Sequence, residues 1–194
     1  MKKQSHLSRG FTLIEMLVAL AILSLIVAIG MAAFDGAKSK AQALVSLSKQ
    51  MADANIMFKE DVGCFAQQPA ALFDQTVANT TNATFCGKPA GDQWTHQYMA
   101  RQEADTNKNV YFRKISDQTI ISLVRDNIAT GKRYSVSVSN VPADILKNAM
   151  AECNGKLDVT AMEGATALGT YKCAGIGLAG DVPGTFLMQY AETR

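Results

Sequence analysis

Residues 9–34 read RGFTLIEMLVALAILSLIVAIGMAAF, and this stretch decides the fold. From Phe11 to Phe34 it holds 24 residues with Glu15 as the one charge. As a helix the run spans about 36 Å, more than a hydrocarbon core of about 30 Å. A secretory signal has an apolar region of only about 7 to 15 residues and a small-x-small cleavage site after it, so this run is too long for one. A carboxylate inside hydrocarbon costs about 2.5 to 3.5 kcal/mol on insertion scales, which marks Glu15 as functional.

Charge is distributed around this run with a clear sense. Lys2, Lys3 and Arg9 precede it and read as the cytoplasmic flank of an inserted segment. The rest of the chain carries 16 basic against 17 acidic side chains, so it offers no electrostatic case for binding nucleic acid. A chain of 194 residues suits one membrane segment plus one modest globular domain. Four cysteines, Cys64, Cys86, Cys153 and Cys173, all lie beyond the apolar run. An even count on the far side of a membrane favours two disulfides, with three connectivities open. Zinc lacks support, because there is no CxxC pair and His6 and His96 are far apart.

The segment RGFTLIEMLVALAIL resembles the cleavage and membrane motif of type IV prepilins and type II secretion pseudopilins. Carried over residue by residue, Gly10 ends a basic leader, Phe11 becomes an N-methylated N-terminus, and Glu15 is the glutamate at the fifth mature position. The resemblance implies an α+β, type IV pilin-like fold with a long N-terminal α-helix packed on an antiparallel β-sheet. It implies a leader at 1–10, a transmembrane and assembly half-helix at 11–34, an amphipathic half-helix at 35–62 and a globular body at 63–194. The implied partners are other copies in a helical homopolymer, a prepilin peptidase, an inner-membrane assembly platform with its ATPase, and an outer-membrane secretin. The subunit is expected to span the inner membrane once, with a periplasmic body, and to become extracellular in the pilus. No cofactor or metal is implied.

Physical chemistry supports those roles. A cut before Phe11 keeps the anchor and creates an ammonium group among apolar neighbours. Glu15 lies four residues on, one turn away on the same helical face. Each charge is costly alone in a low dielectric, and the two compensate when paired. Between staggered subunits, Glu15 of one chain is expected to meet the Phe11 amine of the next, which would set the axial register.

Helical character continues past Phe34. Leu44, Leu47, Met51, Ala54 and Phe58 recur at spacings of three and four, with no proline, and Gly63 is a stop signal. One helix from about Thr12 to about Val62 is expected, weakened in its middle by Gly30 and Gly36. Residues 64–93, including NTTNATFCGKPAGD, read as surface loops, and the sequons at Asn79 and Asn82 as ordinary loop residues. Strands are expected at 109–115, 119–125 and 133–141 from their β-branched and aromatic content. Pro142 then opens a short amphipathic helix ending near Asn154-Gly155. Short strands follow around 157–160, 170–173 and 185–190.

The passage SVSVSNVPADILKNAMAEC is similar to the strand-then-helix passage of type IVb-like pilins, where a cysteine on the helix bonds the C-terminal region. That resemblance implies Cys153–Cys173, leaving Cys64–Cys86 to pin the loop after the long helix. No GxSxG, HExxH, Walker A or Rossmann pattern occurs. GIGLAGDVPG reads as a flexible surface loop. Asp158, Glu163 and Asp181 offer oxygens to calcium, as in major pseudopilins, but match no calcium-loop spacing. The rival readings are a pseudopilin or minor pilin, and a membrane-anchored periplasmic enzyme; the second lacks any catalytic constellation.

Overall fold

The computed structural model describes residues 13–32, 36–155, 158–178 and 182–193. The chain divides into two compact units, Met1–Gly36 and Ala37–Arg194.

In the first unit, α1 covers Leu13–Ala32. Leucine, alanine and methionine, all good helix formers, alternate there with isoleucine and valine, and no proline interrupts them. Ser24 turns its hydroxyl back on its own helix and donates to the Ala21 carbonyl at 2.8 Å. Among the described residues no helix is long and apolar enough to cross a membrane. The expected span runs over 11–34, of which 11, 12, 33 and 34 lie outside the described residues. The expectation of one unbroken helix across residues 33–35 falls outside them too.

The helix α2 covers Gly36–Val62, all but its first residue in the second unit. Its buried face is Ala41, Leu44, Ser48, Met51, Ala52, Ala54, Asn55 and Phe58, the three-and-four stripe of the sequence with two polar residues inside it. Gly63 ends the helix at φ +79°, a left-handed conformation that costs a glycine nothing, and its N–H returns to the Lys59 carbonyl at 2.9 Å.

Five antiparallel strands form one sheet in the order β1-β2-β3-β5-β4: β1 Val110–Tyr111, β2 Ile120–Ile128, β3 Gly131–Val141, β4 Cys173–Ile176 and β5 Gly184–Thr193. Tyr134, Val136 and Val138 alternate toward the side of the sheet that α2 covers, and they join Leu44, Met51, Phe58, Ile121 and Phe186 among the buried core residues. The α+β arrangement of a helix on an antiparallel sheet is therefore present, and it is consistent with the pilin fold. A small second cluster, Leu168, Ala174 and Leu187, is sealed by the 3-10 turn Ala165–Gly169.

Between α2 and the sheet runs an arm that includes α3, Gln75–Ala78, whose first turn is capped by Asp74 accepting from the Thr76 N–H at 2.9 Å. After β3, α4 covers Ala143–Asn154 and buries Ile145, Leu146, Ala149 and Met150.

Four local expectations need correction. The strand expected at 109–115 is only Val110–Tyr111, because the Phe112 N–H bonds the Thr119 carbonyl and the Ile115 N–H turns back to Phe112. The strand expected near 157–160 is replaced at Thr160–Met162 by a 3-10 turn, since the Asp158 carboxylate takes both the Thr160 N–H and its hydroxyl. Thr170 and Tyr171 close another turn on the Ala167 carbonyl, so the strand expected at 170–173 starts only at Cys173. The arm after α2 is not all surface: Ala66, Ala70, Ala71, Leu72, Ala78 and Ala83 are buried.

The glycine-rich stretch is a fifth correction in part, residues 179–181 lying outside the described residues. Gly175 is in β4 and Gly184 opens β5. A Cβ on Gly175 collides with Met150 Sδ, and one on Gly184 with the Ile176 carbonyl and with Leu146 Cδ2 at 2.7 Å. These glycines let α4 approach the sheet closely, a packing role rather than a flexible one.

Candidate functional site

Two features carry chemistry beyond ordinary packing: the surface of α1 and the two disulfide-closed loops.

Along α1, Ile14, Met16, Leu17, Val18, Leu20, Ile22 and Leu23 are all exposed, from 53% to 69%. At 100° per residue those positions circle the helix, so over this length it has no polar side. A helix apolar on every side is stable only when lipid or other helices cover it. Glu15 is exposed within the first turn, the one acid among these side chains. Gly10 and Phe11, the expected cleavage and methylation positions, lie outside the described residues.

In the second unit the structure pairs Cys64 with Cys86 and Cys153 with Cys173, with Cα–Cα separations of 6.2 and 6.1 Å. Both are the pairings the resemblance implied. Each closes a loop of about 20 residues, for which the chain-entropy model gives about 3 kcal/mol.

Beside each bridge an asparagine does work that the sequence reading missed. Asn55, fully buried on α2, accepts from the Ala66 N–H at 2.8 Å and donates to the Ala66 carbonyl at 3.1 Å. Its amide nitrogen also lies 2.8 Å from the Tyr190 hydroxyl on β5. Thus one side chain ties the helix, the start of the first disulfide loop and the sheet together. Asn154, next to Cys153, accepts from the Cys173 N–H at 3.1 Å and donates to its carbonyl at 2.9 Å. The signal for Asn55 was present in the sequence as a polar residue at a core position of the α2 stripe. The Asn154 amide had no such signal, because Asn before Gly reads simply as a helix stop.

The arm packs a ring cluster against the end of α2. Tyr98 lies edge-on to Phe58 at 5.3 Å and donates its hydroxyl to Asp61 at 2.9 Å. Burial and then the Asp61 carboxylate push the Tyr98 phenol up to about 12. Tyr190 is likewise raised, by burial. On the surface, Arg113 holds Glu103 below the usual carboxylate range through their hydrogen bonds. The Thr160 bonds do the same for Asp158.

For the calcium candidates, the Asp158 carboxylate is thus occupied with its own turn, Glu163 is held by a backbone bridge to Gly175, and Asp181 lies outside the described residues. Among the described residues no three His, Cys, Asp or Glu side chains gather as a metal site. His96 Nδ1 meets the Thr95 hydroxyl at 3.0 Å and Asp61 at 3.8 Å, in an exposed setting.

Residues 6–31 match the family model of the prokaryotic N-terminal methylation motif. This is the signature of type IV pilins and pseudopilins. The match spans Gly10, Phe11 and Glu15 and continues into α1, the helix that is apolar on all sides. No curated protein and no solved structure matches the chain. The signature is that of a membrane-anchored precursor that assembles, and it points to a structural subunit rather than an enzyme.

Proposed function

We propose that this chain is the structural subunit of a bacterial type IV pilus, cut by a prepilin peptidase between Gly10 and Phe11 and polymerised through its N-terminal helices. The observation that carries the reading is an all-round apolar α1 with a single acid in its first turn, directly inside a methylation motif. Before assembly that helix holds the subunit in the inner membrane with its body in the periplasm. In the filament, helix contacts replace lipid contacts, and Glu15 of one copy neutralises the methylated Phe11 amine of the next. Assembly then takes a membrane platform, its ATPase and a secretin, and the disulfide-closed body faces outward for adhesion, motility or uptake.

The test is to shear the producing cells and analyse the released fraction. Filaments built mainly of this chain, beginning at N-methylated Phe11, are the expected result. Cleaved and methylated chain that stays in the membrane fraction, or forms a trace component of filaments made of something else, assigns it instead to the pseudopilins or minor pilins. Uncleaved chain overturns both.

A further inference from the structure

The two disulfides meet solvent differently. Cys86 is exposed and Cys64 half-buried, whereas Cys173 is fully buried and Cys153 half-buried. Cys64 and Cys86 also line a cleft of about 200 Å³, together with Gly63, Thr84, Lys88 and Gln93. Lys88 is exposed and is the one charged residue of that lining. Backbone pairing holds Cys64 beside Cys86 independently of their bond. The Phe85 N–H donates to the Phe65 carbonyl at 3.0 Å, which joins the residue after Cys64 to the residue before Cys86. The Ala66–Thr84 bridge extends that pairing, and Asn55 holds both polar groups of Ala66 from α2. The Thr84 hydroxyl closes the turn around Cys86, donating to the Lys88 carbonyl at 2.6 Å and accepting the Lys88 N–H at 3.3 Å.

We propose that Cys64–Cys86 is a thiol-exchange site, in which a low-molecular-weight thiol enters the cleft beside Lys88 and attacks Cys86 Sγ. Access to the sulfur and thiolate character of the attacking group govern such exchange, and Cys86 is the accessible member of the pair. The incoming thiolate forms a bond to Cys86 Sγ as the bond between the two cysteines breaks. Cys64 leaves as a thiolate and takes a proton from water. One disulfide replaces another, so the step consumes no oxidant. Lys88 brings a positive charge to the cleft, which favours the approaching anion. Cys64 follows the C-terminus of α2, where the helix dipole disfavours a thiolate and so makes it a stronger nucleophile. Held beside Cys86 by the Phe65–Phe85 bond, Cys64 attacks back, expels the thiol and restores the bridge. The arm after α2 thus carries a reversible thiolation site, while Cys153–Cys173, with Asn154 closed on the backbone of Cys173, stays shut.

The test incubates the full chain, in detergent, with reduced glutathione at about pH 8, near the pKa of a free thiol. Samples are quenched at intervals with N-ethylmaleimide and read by peptide mass spectrometry. Cys64–Cys86 is expected to open at least about tenfold faster than Cys153–Cys173, giving chains with glutathione on Cys86 and maleimide on Cys64. Removing glutathione before the quench is expected to restore the bridge. Lys88→Glu is expected to slow the opening of Cys64–Cys86 about threefold or more at low salt and to leave Cys153–Cys173 unchanged. The inference is overturned by a Cys64–Cys86 bridge that resists glutathione, by equal opening of the two bridges, or by glutathione carried on Cys64. An adduct that persists once glutathione is gone, or a Lys88→Glu rate equal to wild type, overturns it as well. None of these outcomes bears on α1 or on the pilin reading.

Discussion

Asn154 and Cys173 are joined twice, the asparagine amide taking the Cys173 N–H at 3.1 Å and giving a proton to its carbonyl at 2.9 Å. Because Cys153 precedes Asn154 and bonds Cys173 covalently, the end of α4 grips the first residue of β4 through both side chain and backbone. The covalent link limits how far the loop can stray when unfolded, while the amide fixes how the strand sits once folded.

The first prediction separates those two effects. Asn154→Ala strands the N–H and carbonyl of a residue that is itself fully buried, at about 1 to 3 kcal/mol for an unsatisfied buried group. Urea denaturation of the oxidised protein should show that loss with the disulfide intact. Asn154→Asp keeps the acceptor and loses the donor, so it should fall between wild type and alanine at pH 7. An alanine variant as stable as wild type sinks the clamp.

A second prediction concerns the glycines under α4. Gly184→Ala forces a methyl group against the Ile176 carbonyl and Leu146, and overpacking of this kind costs about 1 to 3 kcal/mol. Gly155 ends α4 in a left-handed conformation at φ +65° with open space around its Cβ. Gly155→Ala should therefore cost about 1 to 2 kcal/mol through backbone strain alone. Repacking distinguishes them: Leu146→Ala made together with Gly184→Ala should lose less than the two single losses added, while Leu146→Ala with Gly155→Ala should be additive. Thermal melts of the variants measure both.

What could be read from the sequence follows from where periodicity is the dominant force. The α2 stripe, β2, β3 and α4 were legible because each lays one apolar face on a common core, and Leu44, Val136 or Leu146 announces that face by spacing alone. Asn55 breaks the same stripe, and only the partner at Ala66, eleven residues on, explains why it is tolerated. Gly175 and Gly184 looked flexible, since close approach of another element leaves no local trace. The arm from Cys64 to Gln93 has no period at all; its buried alanines are set by the Cys64–Cys86 bridge and the Ala66–Thr84 pairing. For the candidate site the balance is different. The motif at Gly10, Phe11 and Glu15 is local and dense, so sequence carries it entirely, whereas the geometry of Gly10 and Phe11 lies outside the described residues.

A third prediction is a pH dependence. The Tyr98 phenol is pushed up to about 12 in the folded protein by burial and by Asp61, against about 10 in an unfolded chain. With the folded value raised, this contribution is fully present below about pH 10 and is lost as pH rises from about 10 towards 12. Urea midpoints should therefore fall over that window. Tyr98→Phe should flatten part of the fall, the rest belonging to Tyr190, whose phenol is also raised by burial. Identical slopes for wild type and Tyr98→Phe contradict the assignment.

The last prediction addresses Glu15, on the proposed pairing with the Phe11 amine. Glu15→Gln preserves size and polarity and removes only the charge, while Glu15→Val removes both and suits a lipid-covered helix better. If the carboxylate served merely to soften insertion, the valine variant would insert and assemble at least as well as wild type. If it neutralises an amine on the neighbouring copy, both variants leave that ammonium uncompensated in an apolar filament core, at about 3 to 5 kcal/mol per subunit. The expected result is normal precursor and processed subunit in the membrane fraction, with sheared filaments reduced by well over tenfold for glutamine and valine alike. Comparing the two variants is what decides, because a loss seen with valine alone would trace to shape, and a loss shared by glutamine can come only from the missing charge.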